Sequence, residues 1–259
     1  VQKVIMGALD PDSRVNGGGA ERLRAAGVEV EVGLGAGEAL DPAYFHHRRT
    51  GRALVTLKLA ATLDGQTAAA DGSSQWITSE AARSDAHRLR AAADAVVIGA
   101  GTLRADDPRL DVRLPGYDGP QPIPVVIAGS GVLPTQAQVW SRRAIVVSTA
   151  SDDRFEDVLV VKADSTGRPD LHEALAGLAE RGLLAVLVEG GPTLAAALLD
   201  QGLVDRGILY LGGLLAGGVG RPLFEGMFPT LSAARRITIE RAISVGSDLR
   251  IDFHVHRNS

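Results

Sequence analysis

The sequence predicts an α/β protein built on a mostly parallel sheet with helices on both faces. Two observations lead there. From Leu54 to Leu211, short β-branched runs alternate with segments of helical length and periodicity, the order that βαβ units require. The last two apolar runs break that order, because they flank Val245-Gly246-Ser247-Asp248 and read as a C-terminal antiparallel hairpin. The first 49 residues differ in character, which sets an expected boundary between a region 1–49 and a region 50–259.

In chain order, Val4 to Leu9 reads as a strand stopped by Asp10-Pro11-Asp12-Ser13. A glycine-led helix from Ala20 to Ala26 ends at Gly27, and Val28 to Val32 alternates as a second strand, completing one β-α-β unit. Asp41-Pro42 opens a short helix bearing Tyr44 and Phe45, and its basic end, His46 to Arg49, leads to Thr50-Gly51-Arg52. Beyond it come a strand over Leu54 to Ala61, a turn at Asp64-Gly65, a loop of glycine and serine, and a helix from Ser79 to Ala93. Ala95 to Gly99, Val125 to Ala128, Ala144 to Val147 and Val158 to Val161 are strands by their β-branched content. A helix over Leu171 to Arg181, a strand over Leu184 to Glu189, a helix over Thr193 to Gln201 and a strand over Gly207 to Leu211 precede the hairpin, Ile237 to Ile243 and Leu249 to His256.

Composition removes several classes of function. The chain has 259 residues, 45% of them hydrophobic, which is material for one large domain or two modest ones. Its formal charge of -4 comes from acids and bases mixed along the chain, so no basic stripe exists to neutralise a nucleic-acid backbone. No apolar run reaches the roughly 18 residues of a membrane span, and no charged leader precedes an apolar stretch, so the cytoplasm is the expected location. The absence of cysteine excludes disulfides, thiolate nucleophiles and cysteine-held metals from these residues. A strand-like run that starts at Val1 rather than after a methionine reads as a fragment.

Several motifs carry chemistry, each with a plainer alternative. Glu189-Gly190-Gly191-Pro192-Thr193-Leu194-Ala195 follows an apolar strand and opens an alanine-rich helix. It is either an anion site made of free N–H groups at a helix start, with glycines that let a pyrophosphate approach, or an ordinary strand-to-helix turn. Gly99-Ala100-Gly101-Thr102 offers a second phosphate loop, although Arg104 stands where a dinucleotide fingerprint needs its third glycine. Lys58 interrupts an apolar strand, so it lies on the solvated face of an edge strand or serves a site. Asp106-Asp107-Pro108 is a turn or a carboxylate source that steadies a cation. Ser73, Ser74, Arg83, Arg90, Arg109 and Arg113 are solvated surface groups or bidentate partners of a phosphate monoester. His254 and His256 share a strand face without a third ligand nearby, so no metal site is expected, and His46-His47 reads as surface.

Taken together, Val55–Gly65, Gly72–Thr78, Gly101–Pro108 and Val188–Leu194 closely resemble, in order, the reductase half of the bifunctional deaminase/reductase of riboflavin biosynthesis. Ala8–Pro11, Asn16–Gly19 and Glu21–Val32 are similar to the tail of that family's deaminase, a cytidine-deaminase-like domain, so residues 1–49 are expected to be its remnant. The family's zinc-binding deaminase motif is missing, which implies neither zinc nor deamination here.

The resemblance implies a dihydrofolate-reductase-like fold, a homodimer, and NADPH-dependent reduction of the ribosyl group of 5-amino-6-(5-phosphoribosylamino)uracil to ribityl. It implies that Ala60, Trp76, Thr102, Asp106 and the run Gly191, Pro192, Thr193, Leu194, Ala195, Ala196, Ala197 line the NADPH site. Ser74, Arg90, Leu110, Arg113 and Glu189 would contact the phosphorylated pyrimidine, with Lys58 and Asp106 as catalytic groups. Where the family often has serine after the strand near Val126, this chain has Ala128-Gly129-Ser130. Reduction of another heterocycle, or nucleotide binding without turnover, are the competing readings.

Overall fold

A computed structural model describes residues 1–12, 14–15, 17–33, 37–129, 131–224 and 230–256; Ser13, Asn16 and Ser130 of the motifs above lie outside the described residues. The chain forms two compact units, residues 1–54 with 175–184 and residues 55–174 with 185–259. The first unit ends its leading stretch at Leu54 and also takes in a stretch distant in sequence.

In the first unit, β1 (Lys3–Met6) and β2 (Glu29–Val32) pair in parallel, linked through α1 (Gly18–Ala25) as the β-α-β pattern predicts. Lys3 sits opposite Glu29, and its Nζ lies 2.9 Å from carboxylate oxygens of both Glu29 and Glu31. After α2 (Gly37–Leu40), the Asp41 side chain accepts from Tyr44 N at 3.0 Å and caps α3 (Pro42–Thr50). Gly51, at φ 75°, ends that helix in the left-handed conformation that glycine adopts without a Cβ penalty. His46 and His47 are half-buried there rather than on the surface.

The second unit contains β3 (Leu54–Thr62), β4 (Gln66–Ala68), α4 (Glu80–Ala91), β5 (Ala95–Gly99), α5 (Ala100–Asp106), β6 (Ile123–Ile127), β7 (Ile145–Ser148) and β8 (Val158–Val160). Then follow α6 (Leu171–Glu180), whose residues 175–180 belong to the first unit, β9 (Ala185–Val188), α7 (Pro192–Asp200), β10 (Arg206–Gly212), β11 (Arg221–Pro222), β12 (Ile237–Val245) and β13 (Asp248–Val255). Nine strands form one sheet in the order β12-β13-β10-β3-β9-β5-β6-β7-β8. β13 is antiparallel to β10 and β12, while β10–β3, β9–β5, β5–β6, β6–β7 and β7–β8 are parallel. The expected parallel sheet closed by an antiparallel hairpin is therefore present. Among the described residues no helix is long and apolar enough to cross a membrane.

The parallel strands are apolar along their length because both of their faces are covered. Val96, Ile98, Val126, Val146 and Leu187 pack with Leu103, Leu110 and Val139 in one core cluster, each such side chain contributing roughly 1.5–3 kcal/mol by leaving water. Several short elements went unread in the sequence, α2, α5, β4 and β11 among them. α5 replaces the expected loop at Gly99-Thr102, because Ala100 and Leu103 bury one face while Gly101 hides the helical pattern. β4 and β11 are too short to show a period, and among the described residues they pair only with each other.

The hairpin is tied to the start of α4. Ser79 caps α4 through Ala82 N, and Ser79 N donates to the buried Asp248 carboxylate at 2.6 Å. Gly246, at φ 62°, turns the hairpin where a Cβ would come within 2.8 Å of Ala81 Cβ. His254 and His256 take separate partners: His254 contacts Asp205 O and Glu240 Oε1, each at 2.8 Å, and His256 Nε2 lies 2.7 Å from Thr238 Oγ1.

Candidate active site

β3 lies inside the sheet between β10 and β9, which removes the edge-strand explanation for Lys58. Strand alternation buries Leu57, Leu59 and Ala61 and turns Thr56, Lys58 and Ala60 to the other face. Ala60 packs there with Ala82 and Leu89 of α4 and with Tyr210, so this is the face that α4 covers.

Near the end of α4, Arg90 makes a bidentate pair with Glu189, the residue that follows β9: Nε to Oε1 is 2.6 Å and Nη2 to Oε2 is 3.0 Å. Both side chains are largely buried, at 13% and 12% exposure. Burial pushes the Glu189 carboxyl up, but the Arg90 guanidinium overrides it with help from the Lys58 charge and holds the pKa at about 2. Glu189 is thus a permanent carboxylate, shared between one guanidinium and the field of a lysine.

The third guanidinium nitrogen of Arg90, Nη1, donates to Asp111 O at 2.9 Å and ties the pair to the turn after α5. That turn has two non-glycine residues in the left-handed region, Asp107 at φ 39° and Leu110 at φ 55°. Such backbone costs about 1–3 kcal/mol per residue and persists only where its surroundings impose it. Here the imposition is visible. Gln138 donates to the Asp107 carbonyl at 3.0 Å and its N–H to the Asp107 carboxylate at 2.8 Å. The Gln121 amide brackets Val112 with bonds of 2.7 and 3.2 Å, and Arg142 donates to Leu110 O at 2.8 Å and to Pro122 O. Leu110 itself points into the core.

On the same turn, Arg113 Nη1 lies 2.8 Å from Asp111 Oδ1 and Arg109 Nε 3.1 Å from Asp111 Oδ2. Arg113 N donates to His87 Nδ1 at 3.3 Å. Burial, then the Arg90 and Arg113 charges, lower the His87 pKa and keep the ring neutral. Lys58, Arg90, Arg109, Arg113 and Arg142 outnumber Glu189 and Asp111, a net positive environment suited to an anion.

Beside this cluster the starts of α5 and α7 meet, where Gly191 N donates to Thr102 Oγ1 at 3.1 Å. A Cβ at Gly190 would come within 3.0 Å of Leu194 Cδ2, and one at Gly191 within 3.2 Å of Thr102 Oγ1. A side chain at either position would thus press on Leu194 or Thr102, which would have to shift by a few tenths of an ångström. A Cβ at Gly101 would meet open space, so the main chain there is accessible. Asp106 follows Thr102 by four residues on α5 and so shares its face. Burial raises its carboxyl pKa, opposed by Arg221 of β11.

Residues 53–249, which include all of these groups, match the RibD C-terminal domain. The chain belongs to that family. It is 38% identical over 267 residues to the riboflavin biosynthesis protein RibD of Chlamydia muridarum, an alignment spanning 98% of this chain and 72% of that protein. Among solved structures, Acinetobacter baumannii RibD superposes with a TM-score of 0.89 at 32% identity, covering 99% of this chain and 74% of that one. The diaminohydroxyphosphoribosylaminopyrimidine deaminase/5-amino-6-(5-phosphoribosylamino)uracil reductase of Thermotoga maritima superposes at 0.85 with 29% identity, covering 99% and 72%.

Within this RibD C-terminal domain, the residues singled out from the sequence fall into groups. Arg90, Glu189 and Lys58 are brought together, as are Thr102 and Gly191, and Leu110 and Arg113 flank the Asp111 carbonyl that Arg90 holds. Ser74 and Trp76 are exposed in the loop before α4; Arg83 stacks over the Trp76 ring at 4.3 Å, and among the described residues no hydrogen bond or ion pair joins either residue to the rest. Ala195 is fully buried, so only its main chain is available to a ligand, while Pro192, Thr193, Leu194, Ala196 and Ala197 are at least partly accessible. Asp111, His87, Gln121 and Arg142 were missed. An acid two residues from each of two arginines was the signal for Asp111; the others show only through contacts distant in sequence.

Proposed function

We propose that this chain is the NADPH-dependent reductase of riboflavin biosynthesis, converting the ribosyl group of 5-amino-6-(5-phosphoribosylamino)uracil to ribityl. Family membership supports the reaction class, and the Arg90–Glu189 pair beside Lys58 is the observation that carries the chemistry. In this reading residues 1–49 are the end of a deaminase domain and 50–259 the reductase, which works as a cytoplasmic homodimer.

The cofactor fits the groups present. The joined starts of α5 and α7 offer an open main chain at Gly101, the Thr102 hydroxyl and the N-terminal dipole end of α7, features that receive phosphate oxygens. Ala60, Trp76, Thr102, Asp106 and 191–197 would hold NADPH, and Ser74, Arg90, Leu110, Arg113 and Glu189 the substrate. When bound, NADPH supplies a hydride to C1′ of the ring-opened imine. The chain's part is to hold that carbon still and favour the protonated imine over the neutral one. Asp106, at the edge of the cofactor groups, is the carboxylate for this cation. Glu189 cannot take up a proton near neutrality, so it orients by accepting hydrogen bonds from substrate donors. Lys58, beside Glu189 on the α4 face, donates to a ribose hydroxyl or passes a proton to the ring oxygen O4′ released when the C1′–O4′ bond opens.

The test is NADPH absorbance after addition of the aminouracil phosphate. Wild type consumes NADPH, Lys58→Ala and Asp106→Asn each lose about a hundredfold in kcat, and near-normal rates in both variants discard these assignments.

A further inference from the structure

We propose that Asp111 is a positioning residue that presents Arg109 and Arg113 together to the substrate's phosphomonoester, which makes Arg109 a ligand of that group. The inference rests on the reductase reading above and redistributes its phosphate contacts.

Arg90 is largely committed to the protein: its Nε and Nη2 hold Glu189 and its Nη1 holds Asp111 O, which uses three of its five N–H donors, and its side chain is buried. Arg142 is a strut, with one Nη group on the Leu110 carbonyl of the turn and the other on the Pro122 carbonyl just before β6. Arg109 and Arg113 differ from both. Each commits a single nitrogen to Asp111 and, among the described residues, keeps its remaining guanidinium donors free of protein partners, with side chains 58% and 53% exposed.

Asp111 is built to hold them apart and aligned. Its side chain is only 13% exposed, and it gives one oxygen to each arginine, Oδ1 to Arg113 and Oδ2 to Arg109. The backbone that carries it is held on every side by Arg90, Gln121 and Arg142, and Leu110 next to it is in the left-handed region. A pair of exposed arginines on an unrestrained loop would lose side-chain entropy on gripping a ligand. Here much of that loss is already met in the free protein, which is what preorganisation means for affinity. The two arginines and one acid carry one net positive charge, and the joined Arg90–Glu189–Lys58 group and Arg142 beside it add more, a net positive surrounding suited to a phosphomonoester dianion.

The alternative is that Asp111 merely neutralises the arginines, and the sign of one variant separates the two. The probe is ribose 5-phosphate, with ribose as control, titrated by calorimetry into the full chain saturated with NADPH. Arg109→Gln, an exposed change that leaves the fold intact, should weaken ribose 5-phosphate about tenfold and leave ribose unaffected. Asp111→Asn should also weaken it, although it removes a negative charge, and the double variant should be no weaker than the worse single one. With the aminouracil phosphate as substrate, both single variants should raise KM more than they lower kcat. Unchanged ribose 5-phosphate affinity in Arg109→Gln, or tighter binding in Asp111→Asn, overturns the proposal. A wild-type chain that binds ribose 5-phosphate through Arg109 yet consumes no NADPH overturns the reductase reading instead.

Discussion

Helix α4 carries two ion-pair networks that use the same residue types for different ends. In its first half, Asp85 accepts from Tyr210 OH at 2.7 Å and Arg250 Nη1 at 2.8 Å, and Arg250 and Arg241 both bind Asp252 on the hairpin. Three arginines meet two acids there, the third being the exposed Arg88 at 3.5 Å from Asp85, and burial and the Asp85 carboxylate raise the Tyr210 pKa, so the phenol stays protonated. Near its end, Arg90 meets Glu189, but Lys58, Arg109 and Arg113 add more cations than the acids balance. The first network is closed and fastens the hairpin to the helix. The second is open, with donors left over. The comparison teaches that burial and geometry make an ion pair structural, and that exposed guanidinium donors left over beside a buried pair mark a candidate site.

The sharpest way to break this contrast is Arg90→Ala. It leaves Glu189 buried without its guanidinium, which should cost about 3–5 kcal/mol of stability by urea denaturation, along with most NADPH-dependent turnover. A stability loss no larger than that of an exposed pair would mean that Glu189 is solvated and the site open to water.

Acid response is the next effect in size. Glu189 has a depressed pKa, about 2 against an ordinary 4.5, so its stabilising contribution is complete above 4.5 and is lost as pH falls toward 2. Glu189→Gln should therefore show a shallower fall in stability across that window, read from thermal melting at stepped pH. Parallel curves for the variant and the wild type would assign acid sensitivity to other carboxylates.

The smallest effect belongs to the outer edge of the closed network. Arg241 is half-exposed and Asp252 retains Arg250, so Arg241→Ala should cost under about 0.5 kcal/mol and leave turnover untouched. A larger loss would show that the hairpin network acts as one unit rather than as a core with a dispensable rim.

Much of the architecture was legible because it is written locally. Runs of β-branched residues such as Val96-Val97-Ile98, the Ser79 cap and the Gly246 turn each act within a few residues, and strands and helices fell close to their expected bounds. α5 was missed because a seven-residue helix with a glycine at its second position has little period to display. The site was legible in its members and not in their relations. Lys58 stood out as a charge in an apolar strand, but whether that strand was an edge depended on β9 and β10, which follow more than 120 residues later.

By itself the sequence determined the alternation of strands and helices, the terminal hairpin, and the kinds of side chain available for chemistry, since propensity, period and turn residues act over short spans. Only the tertiary structure decided that Arg90 is held by Glu189, 99 residues away, and that Arg109 and Arg113, both exposed, share Asp111. The physical reason is that charge pairing follows strand order and burial, which bring distant residues within hydrogen-bond reach and leave no trace in local pattern.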